Sequence, residues 1–184
     1  MQGAKIDTWG IGTKLITAYD QPTLGAVYKL VAIEDEDGQL VDTIKISNNV
    51  GKMSTPGKKQ VWRINDRADR KSEGDYITLV DEDPRNEKSL NMFNPNFPLQ
   101  QKDVEDFTAR PMLKPIWQDG KYVYNEPTLE ESRQHRFDSL NALWDEYKRD
   151  LNPEVYPVDL SQKCYDNKLK LIHQVHEYVK SLNK

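Results

Sequence analysis

The position of its prolines is the feature that most constrains the fold of this chain. Five of them fall between residues 83 and 115, at Pro84, Pro95, Pro98, Pro111 and Pro115. Proline lacks a backbone N–H, and its ring clashes with the preceding turn of a helix, so no long helix fits this segment. Because the segment is also rich in Asn and Asp and has no regular apolar pattern, we predict a long covering loop.

Short apolar runs before this loop predict β-strands, since turn-forming residues separate them. The runs are Tyr28–Ile33, Leu40–Ile46, Lys59–Ile64 and Tyr76–Val80. An acidic turn, Glu34–Gly38, separates the first two. We therefore expect a β-rich region of short antiparallel strands.

Beyond the loop the pattern predicts a tight hairpin and then two helices. Asp119-Gly120 is the residue pair that a two-residue hairpin turn prefers, and it centres the run Ile116–Val123. Thr128 and Glu131 form a capping box, which begins a helix that Asn152-Pro153 ends. The apolar stripe of this helix is Phe137, Leu140, Trp144, Tyr147 and Leu151. A second amphipathic helix is predicted from about Leu160 to Leu182, and both helices should pack through their stripes onto the β-rich region.

Composition excludes several classes of protein. The 184 residues are 36% hydrophobic, which is below the roughly 45% of an ordinary globular chain and predicts a lean core. No run approaches the roughly 18 apolar residues of a membrane span, and no secretory signal is recognisable. The single Cys164 excludes an internal disulfide, so we expect a cytoplasmic protein. A net charge of -4 argues against a nucleic-acid partner.

The glycine turn Gly10-Ile11-Gly12-Thr13 is the motif with the most chemical content, and it follows a predicted short strand, Lys5–Thr8. Glycines let backbone amides approach a ligand with no side chain in the way, and Thr13 adds a hydroxyl donor. A phosphate fits such a ring of N–H dipoles. An ordinary tight turn explains the same spacing, so the motif alone leaves both interpretations open.

The remaining candidates favour structural roles. One stretch is densely basic and comprises Lys58, Lys59, Arg63, Arg67, Arg70 and Lys71. It forms either an anion-facing surface or solvated charge that nearby acidic residues balance, and we favour the second interpretation. His173 and His176 share a helix face, but His135 is distant and no paired cysteine motif exists, so no metal site is predicted. We expect His176 to be a packed core histidine rather than a metal ligand. We expect Cys164 to be a small core residue rather than a nucleophile.

Four ordered motifs resemble nicotinate phosphoribosyltransferase, in particular the enzyme of low-GC Gram-positive bacteria. They are Ile6–Thr17, Gln21–Val31, Thr55–Arg63 and Asn152–Ser161. The resemblance implies the C-terminal portion of a much longer enzyme, with Met1 falling inside its barrel domain. The chain is therefore expected to be a fragment.

By this resemblance, the whole enzyme converts nicotinate and phosphoribosyl pyrophosphate into nicotinate mononucleotide and pyrophosphate, with ATP and Mg²⁺ as cofactors. It is a pentosyltransferase and ligase of NAD salvage. The sequence does not decide whether the enzyme forms a homodimer. The resemblance implies that Gly10, Ile11, Gly12 and Thr13 hold the 5-phosphate of the ribosyl group, with support from Asp7 and Lys14. The catalytic histidine and the pyrophosphate and nicotinate sites would lie upstream, so no residue of this chain is predicted to be catalytic.

The sequence thus predicts an α+β fold in three regions. Residues 1–20 are a remnant of an irregular α/β barrel with the phosphate-binding turn, residues 21–125 are the β-rich region with its proline-rich loop, and residues 126–184 are helical. The predicted function is the C-terminal part of the transferase, inactive alone. The alternative is a free-standing, non-catalytic binding or assembly module derived from that enzyme.

Overall fold

The computed structural model describes residues 5, 7–8, 10–23 and 25–182. The helices are α1 (Thr13–Ile16), α2 (Leu129–Ala142) and α3 (Gln162–Leu182). The first strands are β1 (Ala32–Glu34), β2 (Leu40–Asp42), β3 (Lys59–Asp66), β4 (Ser72–Leu79) and β5 (Ser89–Phe93). The others are β6 (Gln101–Glu105), β7 (Phe107–Pro111), β8 (Trp117–Gln118), β9 (Lys121–Tyr122) and β10 (Val158–Leu160).

Six strands form one sheet in the order β6-β5-β10-β4-β3-β7. All neighbours are antiparallel except β10 and β4, which run parallel with Asp159 opposite Tyr76. The two edge strands are consecutive in sequence, because only Asp106 separates β6 from β7. Asp106 adopts a positive φ of 47° at this junction. One residue cannot span a flat six-stranded sheet, so the sheet curls until its edges meet at Asp106.

The inner face of the curled sheet forms the core. Alternate residues of β4 are buried, as the two-residue period of a strand requires. Trp62 and Ile64 of β3 lie opposite Tyr76 and Gly74 on this face, and Trp62 Nε1 donates to Thr78 Oγ1 at 3.0 Å. The other members of the cluster are Leu90, Met92, Val104 and Phe107. Burying such side chains stabilises the fold by roughly 1.5–3 kcal/mol each.

Helix α3 covers the outer face of the sheet, where it packs against β4. Ser161 precedes its first turn, and Ser161 Oγ accepts a hydrogen bond from Cys164 N at 3.1 Å, as an N-cap does. Phe93 of β5 and Tyr165 of α3 meet edge to face with ring centroids 5.2 Å apart. No helix in the described part of the chain combines the length and the apolar character that a bilayer crossing requires.

The proline-rich segment is not a covering loop, and this prediction was wrong. Residues 83–115 contain β5, β6 and β7, which supply half of the sheet. The prolines are compatible with these strands, because Pro95 and Pro98 lie in the β5–β6 turn and Pro111 ends the edge strand β7. Pro84 begins a short 3₁₀ helix. The prolines excluded a helix but did not exclude strands.

The first predicted helix ends earlier than expected. Helix α2 stops at Ala142, no residue in it is buried, and Trp144 is extended with ψ 153° before a 3₁₀ turn at Asp145–Lys148. Lys71 Nζ donates to the carbonyls of Asn141 and Leu143 at 2.8 and 3.2 Å, at the C-terminal end of this helix. The predicted stripe from Phe137 to Leu151 is therefore interrupted, and the expectation that both helices pack through apolar stripes was wrong for α2.

Other local predictions are confirmed. Glu131 N donates to Thr128 Oγ1 and Thr128 N to Glu131 Oε2, so the capping box is present. Asp119 and Gly120 take positive φ values of 49° and 72° between β8 and β9. The acidic turn joins the β1–β2 hairpin. The predicted strand Lys5–Thr8 is wrong at Lys5, Asp7 and Thr8, and Ile6 lies outside the described residues.

Strand β10 was missed, because it lies within the region predicted to be helical. It is inserted between β4 and β5, so the sheet contains residues from both sides of position 125. The division into regions 1–20, 21–125 and 126–184 stays a prediction.

Candidate functional site

The glycine turn precedes the first turn of α1 and is open to solvent. Gly10, Ile11, Gly12 and Thr13 are all exposed, and Ile11 retains 53% of its accessible surface. Gly12 is the N-cap residue with φ −107° and ψ −152°, and its carbonyl accepts from Leu15 N at 3.1 Å. A Cβ atom at Gly10 or Gly12 would meet no atom within 4 Å. The space that a bound phosphate needs is therefore present next to both glycines.

The two supporting residues do not converge on this turn through a described contact. Asp7 is exposed in a bend. Lys14 Nζ lies 5.2 Å from the centre of the Tyr19 ring, a cation–π contact between α1 and the turn that follows it. The backbone carbonyl of Thr13 accepts a hydrogen bond from Thr17 Oγ1 at 2.8 Å. The roles of Asp7 and Lys14 at a phosphate stay predictions.

Two members of the basic stretch have structural roles. Lys59 Nζ donates to the backbone carbonyls of residues 55–57, including Thr55 O at 2.6 Å. Burial lowers the pKa of this ammonium group, and the nearby Cys164 and Asp42 act in the opposite direction. Lys71 caps α2 as described above. These contacts favour the structural interpretation of the stretch over a continuous anion-facing surface.

The arginines of the stretch are mostly paired, although they share a cleft. Arg63 donates to both carboxylate oxygens of Asp75 at 2.9 and 3.1 Å, and this hydrogen bonding raises the pKa of the guanidinium. Arg67 pairs with Asp106 at 2.9 Å. A cleft of about 610 Å³ separates α2 from β3 and β7, and its basic lining residues are Arg63, Arg67, Arg70, Arg110 and His135. Asp66 and Asp138 also line it, so part of the positive charge is balanced.

The cysteine and histidine predictions have opposite outcomes. Cys164 is fully buried, and desolvation raises the pKa of its thiol to about 11, so it is a core residue as predicted. His176 is exposed, so its prediction as a packed core histidine was wrong. His173 and His135 are exposed as well. Over the ranges that the structure describes, no three His, Cys, Asp or Glu side chains cluster as a metal site would need.

A cavity of about 680 Å³ lies at one end of the curled sheet, and we call it the sheet-end cavity. The end of β5 and the starts of β6 and β10 line it on one side, and the segments around Tyr147 and Tyr156 line it on the other. Its polar and aromatic lining includes Asn94, Lys102, Trp144, Glu146, Tyr147, Glu154, Tyr156 and Asp159. Sequence reasoning identified none of these as site residues.

Asp159 is the unusual group of this cavity. Its side chain points to the inner face of the sheet with Tyr76, and only 6% of the residue is exposed. Desolvation raises the pKa of its carboxyl, and the charge of Lys102 partly opposes this effect. One signal in the sequence could have identified it, because Asp159 is the only charged residue in the otherwise apolar run Val155–Leu160.

Comparison with known proteins gives consistent matches. A family model described as "Nicotinate phosphoribosyltransferase C-terminal domain" matches residues 58–168. The chain is 53% identical to nicotinate phosphoribosyltransferase of Bacillus subtilis over 174 residues, which is 95% of this chain and 35% of that protein. It is 32% identical to the Caenorhabditis elegans enzyme, covering 89% of this chain and 28% of that one.

A solved structure supports the same fold. The crystal structure of human nicotinic acid phosphoribosyltransferase superimposes on 66% of this chain and 23% of that one, with a TM-score of 0.56 and 24% identity. This chain spans about a third of the length of the curated relatives it matches.

Proposed function

The chain belongs to the family of nicotinate phosphoribosyltransferase C-terminal domains, and we propose that it serves an enzyme that joins nicotinate to phosphoribosyl pyrophosphate. The products would be nicotinate mononucleotide and pyrophosphate, in a step of NAD salvage coupled to ATP hydrolysis. The single observation that carries this proposal is the 53% identity to the Bacillus subtilis enzyme, which extends over nearly the whole of this chain.

Within that enzyme, this chain would contribute the phosphate end of the substrate site. Gly10, Gly12 and Thr13 have exposed backbone, and the glycine Cβ positions face open space. Backbone N–H groups directed at a phosphate supply favourable dipoles without a side chain to order. Thr13 would add a hydroxyl donor. The turn would therefore fix the 5-phosphate of the ribosyl group and orient the reacting carbon.

The remaining chemistry would lie outside this chain. Transfer at the ribose needs a site that holds pyrophosphate and the base together, and it gains from fixed charges around the leaving group. None of His135, His173 or His176 falls in a motif of the family's catalytic histidine. ATP and Mg²⁺ are accordingly proposed as cofactors of the whole enzyme, and the function of this chain is positioning.

The first experiment tests whether the chain needs the rest of such an enzyme. The purified 184-residue chain is incubated with nicotinate, phosphoribosyl pyrophosphate, ATP and Mg²⁺, and nicotinate mononucleotide is measured by chromatography. We expect none. A chimera in which this chain replaces the matching third of the Bacillus subtilis enzyme should be active. A folded but inactive chimera would favour the alternative of a non-catalytic binding module.

A second experiment tests the phosphate turn in the active chimera. Gly12→Val places a branched side chain where the phosphate would lie, so KM for phosphoribosyl pyrophosphate should rise while KM for nicotinate changes little. Gly25→Val is the matched control, because Gly25 is also exposed and also has open space at its Cβ position. Equal effects of the two substitutions would remove the turn from the substrate site.

A further inference from the structure

We propose that the sheet-end cavity binds an organic cation, an ammonium or guanidinium group on a short aliphatic stem. The proposal concerns a surface separate from the glycine turn and does not depend on phosphoribosyl transfer.

Asp159 contributes a largely buried carboxylate to the cavity. Only 6% of the residue is exposed. Among the described residues no donor hydrogen-bonds its carboxylate, whose oxygens keep solvent contact at the cavity. Strand β10 is bonded on both sides, to β4 and to β5, so the backbone holds Asp159 at the cavity. Partial desolvation disfavours the charged form of a carboxylate, and a bound cation would offset that cost.

The nearest cationic side chain is already engaged elsewhere. Lys102 Nζ donates to the carboxylate of Glu73 at 2.6 Å and to the backbone carbonyl of Glu73 at 2.7 Å. These two bonds hold the ammonium group across the end of the sheet. Lys102 therefore lowers the negative potential at Asp159 but makes no hydrogen bond to it.

The other charged groups that line the cavity are carboxylates. Glu146 lies 3.6 Å from Arg149, and the side chain of Glu154 has no ion-pair partner among the described residues. With Asp159, three carboxylates and one ammonium group line the cavity. Burial and then the charges of Glu73, Glu154, Glu146 and Asp159 raise the pKa of Tyr147, which agrees with a negative local field. Such a field attracts cations and repels anions.

Aromatic rings also line the cavity. Tyr147 and Tyr156 pack edge to face with centroids 5.5 Å apart, and Trp144 lies beside them. The faces of such rings attract cations. Lys71 already lies 5.9 Å from the Trp144 ring and Arg63 5.6 Å from the Tyr156 ring, so Tyr147 is the ring of the three without a cation–π partner among the described residues. Amide oxygens of Asn94 and Gln100 at the rim could accept further hydrogen bonds from an ammonium or guanidinium.

The cation could be a free amine or the side chain of a lysine or arginine in another protein segment, and two probes separate these sources. The 184-residue chain is titrated calorimetrically with 1,5-diaminopentane and with lysine blocked at both its amino and carboxyl termini. We expect saturable binding of at least one probe at millimolar concentration. Binding of the diamine alone would assign a free amine, and binding of the blocked lysine would admit a side chain. Binding of neither would overturn the proposal.

Substitutions then test the site. Asp159→Asn keeps the shape of the side chain and removes its charge, so the association constant should fall at least tenfold. Glu36→Gln is the matched control, since it removes one exposed carboxylate from the β1–β2 turn and should leave binding unchanged. Tyr147→Leu removes an aromatic face but no charge and should weaken binding severalfold. It keeps the test decisive if Asp159→Asn fails to fold. Unchanged binding in the folded variants would contradict the proposed site.

Discussion

Replacing Gly74 with alanine should destabilise the chain, because the curled sheet has no room for a side chain at this position. Gly74 lies in β4 with a φ of +141°, a region that side chains with a Cβ rarely adopt. A Cβ atom there would lie 2.9 Å from Pro157 Cγ, 3.1 Å from Pro157 O and 3.1 Å from Met92 Cε. Met92 can move its flexible end, but the backbone of residue 157 cannot move so freely.

The size of the effect follows from two contributions. A residue held in a sparsely populated backbone region costs about 1–3 kcal/mol. Overpacking against neighbours that cannot relax costs about 1–3 kcal/mol more. Pro157 O accepts a hydrogen bond from Asp75 N at 3.0 Å, so relief of the clash would disturb the start of the parallel β4–β10 pairing. We expect Gly74→Ala to lower the free energy of unfolding by about 4 kcal/mol.

The assay compares thermal unfolding with that of a matched variant. Gly120→Ala also places alanine at a positive φ, +72°, but its Cβ would meet no atom within 4 Å. It should cost only the backbone strain of about 1–2 kcal/mol. At about 2–4 °C per kcal/mol for a chain of this size, Gly74→Ala should lower Tm by about 12 °C and Gly120→Ala by about 4 °C. Equal shifts would refute the close approach of β4 and residue 157.

Four further predictions test other parts of the structure. Thr128→Ala removes the N-cap of α2 and should cost about 1 kcal/mol in urea unfolding, and no change would show that α2 does not contribute to the cooperative unit. Truncating a fully buried tryptophan to alanine lowers the free energy of unfolding by about 3–5 kcal/mol. Trp144→Ala should lower it by less, because Trp144 is 38% exposed, and a loss of the full size would contradict that position. Cys164, with a thiol pKa raised to about 11, should react with iodoacetamide only after unfolding in urea, so rapid labelling of the native chain would contradict its burial. Burial raises the folded-state pKa of the Asp159 carboxyl above its ordinary value, so ionisation of this group lowers the stability of the fold as the pH rises. Asp159→Asn should therefore raise Tm at neutral pH and change Tm little at acidic pH. A lower Tm at neutral pH would contradict the burial of Asp159.

The features that could be predicted from the sequence are those set by neighbouring residues. The capping box needs only Thr128 and Glu131, which satisfy each other's backbone amides within one turn. The hairpin needs only Asp119 and Gly120, which accept positive φ values. Both were predicted correctly because their energies depend on contacts within a few residues.

The features that were missed depend on distant partners. Strand β7 ends at Pro111, which the sheet tolerates because it sits at an edge and pairs only with Trp62 of β3. Strand β10 has only three residues, so its own propensity is weak, and its two neighbours in the sheet stabilise it. The end of α2 is in contact with Lys71, seventy residues from Asn141 in the sequence. No local pattern reports such pairings.

The contrast between local and distant contacts also explains why only part of the candidate site could be predicted from the sequence. The glycine turn is a local motif, and its residues were predicted at once. The sheet-end cavity assembles β5, β6, β10 and the segment around Tyr147, so its Asn94 and Lys102 are far in the sequence from its carboxylates, which lie between Glu146 and Asp159. Asp159 carried a weak local signal, as a charge within an apolar run, which gains its meaning only when β10 takes its place in the sheet.

The exposure of the N-terminal segment bears directly on how the glycine turn would act. Large apolar side chains remain open along it, including Ile16 at 84%, Val27 at 83% and Tyr28 at 95% of their accessible surface. Exposed apolar patches are typical of protein–protein contacts. A protein surface that covered Ile11 and Leu15, which are 53% and 64% exposed in the turn and the helix after it, would also exclude water from Gly10–Thr13. Backbone dipoles bind an anion more strongly where water is excluded. We therefore expect phosphate to bind this turn weakly in the isolated chain, and Gly12→Val to have its full effect only in the active chimera.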